Sequence, residues 1–126
     1  MRGERTNFEN LRVYQIAEQL ADEVWKIVAE WERLARETVG RQIVRSADAI
    51  GANIAEGTGR GTTPDNRRFA RMARGSLYET KHWLRRAYRR HLLSDKQVEK
   101  LKETVEELTL TLNGYLRSMN NTKTKH

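Results

Sequence analysis

The chain has 126 residues, a net charge of +7 at neutral pH and no cysteine, which excludes disulfide bonds, thiolate catalysis and cysteine-based zinc sites. Its length suits a single domain, residues 1–126, with a hydrophobic core of its own. Because the N-terminus is polar and no segment approaches the ~18 apolar residues of a membrane span, we expect a cytoplasmic protein without membrane contact.

Apolar residues recur at the spacing of an α-helix along the chain and nowhere alternate as they do in strands. The first helix is predicted over about residues 10–34 and the second over about residues 38–56. Gly57 is expected to end the second helix, because glycine is favoured just after a helix terminus. Asn53 flanks the apolar stripe of this helix, where we expect it to form a hydrogen bond to another helix.

The third helix has the clearest start signal in the chain. Thr63 can cap it, and Pro64 fits the first helical position, where no backbone N–H is needed. Its apolar periodicity predicts an end near His91.

The fourth helix is predicted to begin at Ser94 and Gln97, which have the spacing of a capping box. We expect frayed ends at about residues 1–8 and 119–126. Because the connections between the four helices are short, neighbouring helices should be antiparallel. The sequence therefore predicts an all-α fold, an antiparallel up-down-up-down four-helix bundle.

The third helix concentrates the positive charge. Residues 60–93 carry ten basic and two acidic side chains, whereas residues 1–37 carry six basic and eight acidic ones. On a helical wheel, a basic stripe lies between about 120° and 200° from Phe69, which is on the apolar side. The basic stripe consists of Arg67, Arg71, Arg74, Lys81, Arg85 and Arg89, with Tyr78 in its middle, and Arg68, Arg86 and Arg90 widen one edge.

The composition of the basic stripe favours an anionic partner. Like charges one turn apart repel one another, so the stripe weakens the free helix. Arginine outnumbers lysine nine to one in residues 60–93, which favours bidentate contact with phosphate, and Tyr78 can stack on a base. The stripe therefore predicts binding of RNA or single-stranded DNA. A solvated helix face, an acidic membrane surface and an acidic protein are the alternatives.

Residues 57–61 are rich in glycine but lack the spacing and the preceding strand of a nucleotide-binding loop. We interpret them as a turn, with Arg60 as a candidate anion contact beside the start of the third helix. His82 and His91 lie about 180° apart on one helix, so they cannot share a metal ion. The sequence predicts no enzyme, no cofactor, no metal site and no small-molecule substrate.

Two segments carry a family resemblance, QIVRSADAIGANIAEGTGR at residues 42–60 and FARMARGSLYETKHWLRRA at residues 69–87. They resemble the bacterial four-helix-bundle family first noted in intervening sequences of large ribosomal RNA genes, which also contains the accessory variability protein of diversity-generating retroelements. The most specific motifs are NIAEG and GSLYE. They contain the structural motif residues Asn53, Glu56, Gly57, Gly75, Ser76 and Glu79.

The resemblance implies a bundle that assembles into a homo-oligomer, a pentamer. Residues 79–94, dense in arginine, look more like the retroelement branch, which implies a non-catalytic accessory subunit that binds reverse transcriptase and template RNA or complementary DNA. On this resemblance the binding role is carried to Arg67, Arg71, Arg74, Lys81, Arg85, Arg86, Arg89 and Arg90. The alternatives are an oligomeric scaffold that docks an acidic protein, and a ribosomal-RNA intervening-sequence protein of unknown function.

Overall fold

The computed structural model describes residues 7–124, with side chains described for residues 8–120. Every secondary-structure element within residues 7–124 is helical, which confirms the predicted all-α fold. The elements are α1 (Asn7–Asn10), α2 (Arg12–Ala29), α3 (Arg33–Ala35), a π-helical segment (Arg36–Gly40), α4 (Arg41–Thr58), α5 (Thr63–Arg89) and α6 (Asp95–Thr124).

The four long helices form a square bundle. Helix α2 packs against α4 and α6, and α5 packs against the same two helices, so α2 and α5 lie on one diagonal. The register is antiparallel, because Arg45 near the start of α4 forms an ion pair with Glu79 of α5, whereas Gly57 near the end of α4 approaches Asn66 at the start of α5. The predicted up-down-up-down four-helix bundle is therefore confirmed.

The core is formed by one apolar face of each long helix. The largest fully buried apolar side chains are Ile16, Leu20, Val24, Ile43, Ile50, Ile54, Leu77, Leu108 and Leu112. Among the described side chains, three hydroxyl residues are buried, Ser46 of α4, Thr80 of α5 and Thr104 of α6, and the hydroxyl oxygens of Ser46 and Thr80 lie 2.9 Å apart. The backbone carbonyl oxygen of Ser76 lies 2.8 Å from the Thr80 hydroxyl, so these buried polar groups are hydrogen-bonded.

The predicted first helix, residues 10–34, is wrong as one continuous element. Helix α2 ends at Ala29, and the helical backbone resumes at Arg33 and continues through α3 and the π-helical segment to Thr58. The indole of Trp31, between the two, donates a hydrogen bond to the carbonyl of Leu92 in the α5–α6 connection, at 3.1 Å. No glycine or proline marks this break in residues 29–33.

The start of α5 is displaced by one residue from the prediction. Thr62 is the N-cap, and its hydroxyl accepts a hydrogen bond from the backbone N–H of Asp65 at 3.3 Å. Helix α4 ends at Thr58 with Gly59 as its C-cap, so the predicted stop at Gly57 is wrong. Of the glycines in this turn, Gly61 has a positive φ, of 90°.

The capping box that opens α6 is confirmed. The Ser94 N–H donates to the Gln97 side chain at 2.9 Å, and the Gln97 N–H donates to the Ser94 hydroxyl at 3.1 Å. The helix continues past residue 119, where the predicted frayed end begins, and Met119 is buried. At the ends for which fraying was predicted, residues 1–6 and 125–126 lie outside the described residues.

Candidate nucleic-acid interface

Five cations of the predicted basic stripe lie together along the outer side of α5. We call them the basic face, and they are Arg71, Arg74, Lys81, Arg85 and Arg89. All are exposed except Arg74, which is half-buried. Tyr78 lies among them with 57% of its surface exposed, and the Lys81 ammonium is 5.0 Å from the centre of its ring. The structure therefore brings together most of the predicted binding residues.

The basic face is not neutralised by any carboxylate that the structure describes. Among the described side chains, none of its five cations has a carboxylate oxygen within 4 Å. The nearby acid Glu79 is engaged elsewhere, because it pairs with Arg45 of α4 and accepts a hydrogen bond from the Trp83 indole at 3.2 Å. Helix α5 thus presents a row of positive charges without acidic partners among residues 8–120.

Arg67 does not belong to the basic face, so its predicted role at an exposed stripe is wrong. Only 8% of its surface is exposed, and its guanidinium Nη1 is buried without a hydrogen-bond partner. Arg67 lies one turn before Ala70, which packs with Leu116 and Met119 of α6. Because the end of α6 covers this side of α5, the first turns of α5 bury residues that a helical wheel assigns to solvent.

The edge residues of the stripe have separate environments. Arg68 and Arg60 both lie over the ring of Phe69, at 4.6 and 5.1 Å from its centre. Arg60 also donates to Glu56 at 3.1 Å, and Arg68 is 3.9 Å from Asp65.

Two more predicted binding residues lie towards the end of α5. Arg86 is half-buried, whereas Arg90 is exposed and forms the C-cap of the helix. Both flank the basic face without belonging to its row of five cations.

The NIAEG motif brings α4 close to α5. A Cβ added to Gly57 would lie 2.6 Å from the Asn66 side-chain oxygen and 3.0 Å from the Cβ of Phe69, so only glycine fits this contact. The Asn66 oxygen also accepts a hydrogen bond from the Tyr115 hydroxyl of α6 at 3.4 Å. Asn53 instead donates to the carbonyl of Ala49 in its own helix at 3.0 Å, so the predicted interhelical hydrogen bond is wrong.

In the GSLYE motif, Gly75 has open space around its Cα, whereas Glu79 contacts another helix. Gly75 is exposed, and a Cβ added there would have no heavy atom within 4 Å. The carbonyl of the half-buried Ser76 accepts the Thr80 hydrogen bond, and Glu79 links α4 to α5. The ion pair explains Glu79, whereas nothing in the structure explains the glycine or the serine side chain.

A groove between α5 and α6 borders the basic face, and no pattern in the sequence predicted it. It has a volume of about 440 Å³. Its apolar lining consists of Leu84, Leu93, Val98, Leu101 and Val105. Leu84 and Val105 belong to the apolar stripes of α5 and α6 but are only half-buried, so the two stripes do not pack completely against each other.

The side of the bundle between α2 and α4 carries both signs of charge, because Arg36, Arg41 and Arg45 line one groove there and acidic side chains line a second one. Glu18, Asp22 and Asp48 lie along the second groove, and the Tyr14 hydroxyl donates to Glu18 at 3.2 Å. Partial burial, together with the negative charge of Asp22, raises the pKa of Asp48 above its ordinary value. Burial and Glu18 likewise raise the pKa of Tyr14. The two grooves between α2 and α4 therefore have opposite charge.

Within the described residues, no three His, Cys, Asp or Glu side chains are placed to hold a metal ion. The ring of His82 packs edge-on against Trp83, with the two ring centres 4.7 Å apart. None of the helices in residues 7–124 combines the length and the hydrophobicity needed to cross a membrane.

Comparison with known proteins gives a matching protein family and a solved structure with a similar fold. A family model described as the 23S rRNA-intervening sequence protein matches residues 9–114. A crystal structure of a protein with unknown function from the S23 ribosomal protein family of Bacteroides thetaiotaomicron VPI-5482 is similar, with 23% sequence identity and a TM-score of 0.74. The similarity covers 82% of this chain and 96% of that one. No curated protein matches the chain.

Proposed function

Because the chain belongs to the 23S rRNA-intervening sequence protein family, as the match over residues 9–114 shows, we propose that it is a non-catalytic protein that binds RNA or single-stranded DNA on its basic face. The observation that carries this proposal is the row of five cations on α5 without carboxylate partners among the described side chains. Arginine forms bidentate contacts with phosphate, and the exposed Tyr78 among the cations offers a ring for stacking.

The experiment that tests this proposal is a salt titration of RNA binding. Each phosphate contact on a single strand lowers log K by about 0.7 per tenfold rise in salt, so several contacts give a steep dependence. We expect micromolar or tighter binding at low salt that collapses as salt is raised. Absence of binding to any single-stranded RNA or DNA at low salt would refute the proposal.

We propose further that this protein is cytoplasmic and is the accessory subunit of a diversity-generating retroelement, where it binds the reverse transcriptase and the template RNA or its complementary DNA. The support is the resemblance of residues 79–94 to that branch of the family and the cationic character of this segment. Copurification with the reverse transcriptase encoded by a neighbouring gene is the test. Failure of the two proteins to associate, with nucleic-acid binding retained, would refute only this second step.

The same resemblance supports a homopentamer. Light scattering of the purified protein should then give a mass near five times 14.7 kDa. A monomer in solution would remove the pentamer from the proposal and leave the nucleic-acid role to be judged by the salt titration.

A further inference from the structure

The groove between α5 and α6 combines an apolar floor with a cationic rim. The rim is formed by Lys81 and Arg85 of α5, which belong to the basic face, and by Lys102 of α6. Tyr88 also lines the groove and is 51% exposed. No acidic residue lines the groove among the described side chains. The groove is thus an apolar depression with positive charge on both sides and an accessible aromatic ring.

We infer that this groove takes an unpaired nucleobase of single-stranded RNA or DNA, stacked on Tyr88, while the adjoining phosphates contact Lys81, Arg85 and Lys102. This inference rests on the proposed function. It adds a binding site for the base to a surface that is proposed to bind phosphates. Its volume of about 440 Å³ lies within the roughly 300–1,000 Å³ typical of small-ligand sites.

The position of the groove ties it to the path of the strand. Lys81 and Arg85 belong both to the basic face and to the groove rim, so a strand held by the basic face passes the mouth of the groove. Proteins that bind single strands combine a positive track for the backbone with aromatic rings on which successive bases stack. A duplex keeps its bases stacked inside, so it leaves the apolar floor and Tyr88 without a ligand.

An acidic amphipathic helix of a protein or a second copy of this chain would also cover an apolar floor with a cationic rim. The observations favour the base, because Tyr88 lies on the same helix as the phosphate-binding candidates and two of those candidates line the groove itself. The competing occupants are distinguished by the variants below.

The test uses the full chain and a fluorescently labelled single-stranded RNA, with a fully paired duplex RNA of equal length as the comparison. We expect Tyr88→Ala to weaken single-strand binding about fivefold or more, which is the lower end of the contribution of one base–aromatic stack. The salt slope should stay unchanged, because tyrosine carries no charge. Tyr88→Phe should keep the affinity, and Trp25→Ala, which removes an exposed aromatic ring from α2, should have no effect.

A 2-aminopurine placed in the strand supplies a second readout, since stacking on a ring quenches its fluorescence. Quenching by the wild type that is lost in Tyr88→Ala supports the base site. Equal binding of single strand and duplex, with no effect of Tyr88→Ala, overturns the base site and leaves the proposed function intact. Absence of all binding by the wild type overturns the proposed function as well. A change in oligomeric mass in Tyr88→Ala would assign the groove to a subunit interface and overturn the inference.

Discussion

The sharpest prediction concerns the basic face and the salt dependence of RNA binding. We consider a variant in which Arg71, Arg74, Arg85 and Arg89 are all replaced by glutamine, which has a helix propensity close to that of arginine. These side chains point away from the apolar core, and none has a carboxylate partner among the described residues, so the bundle should keep its helicity and thermal stability.

The expected magnitude follows from the number of cations. Five phosphate contacts on a single strand give a slope of log K against log salt of about −3.5, and the single remaining lysine gives about −0.7. Between 50 and 200 mM salt, the wild type should then lose about 100-fold in affinity and the variant only about threefold. At 50 mM salt the variant should already bind far more weakly than the wild type.

The assay is fluorescence anisotropy of a labelled single-stranded RNA at several salt concentrations, with circular dichroism to check helicity. A matched control replaces four exposed cations outside the basic face by glutamine: Lys26, Arg33, Arg41 and Arg117. Both variants lower the net charge from +7 to +3, so overall charge is held equal. If the control loses as much affinity as the first variant and its salt slope falls as much, then α5 is not the binding surface. The same conclusion follows if the first variant keeps the salt slope of the wild type.

Three further substitutions test the packing and the charges of the bundle. Arg67→Met should raise the free energy of unfolding by about 1 kcal/mol, because it removes a buried guanidinium nitrogen that lacks an acceptor. The control Arg71→Met should leave the stability unchanged and weaken RNA binding. A lower melting temperature for Arg67→Met would contradict this prediction. Gly57→Ala should lower the free energy of unfolding by about 1–3 kcal/mol, since the added Cβ would lie 2.6 Å from the Asn66 oxygen, and an unchanged thermal transition would show that the contact relaxes freely. Asp48→Asn should stabilise the protein at pH 7, because the raised folded-state pKa of Asp48 means that its charged form is disfavoured in the bundle. This gain should be absent below the ordinary pKa of 3.8 and complete once the pH exceeds the raised value, so a gain independent of pH in thermal melts would point to another cause.

Local signals in the sequence were sufficient to predict the fold class and most helix starts. The capping box of Ser94 and Gln97 depends on residues three apart, and the start of α5 was displaced by only one residue. The break after Ala29 could not be predicted in this way, because no glycine or proline marks it and the contact beside it, from Trp31 to Leu92, joins residues sixty-one positions apart. A helix boundary that depends on local capping residues can be predicted from the sequence, whereas a boundary that depends on tertiary contacts cannot.

The candidate site was likewise predicted correctly where a single helix determines it and incorrectly where a second helix does. A helical wheel placed the basic face on the outside of α5 correctly, since opposite sides of one helix follow from its period alone. It failed for Arg67, because the end of α6 covers the first turns of α5. The groove with Tyr88 was missed for the same reason, because its walls come from two helices whose relative position the sequence does not state.

The unpaired cations of the basic face have a consequence for how fast a ligand arrives. They form a row along α5, whereas between α2 and α4 both signs of charge are present. A polyanion that diffuses towards the protein is attracted by this row of like charges, so it is drawn towards α5 before any contact forms. Such steering raises the association rate and shortens the search. It also fades with added salt, because screening reduces the field beyond a Debye length of about 8 Å at physiological ionic strength.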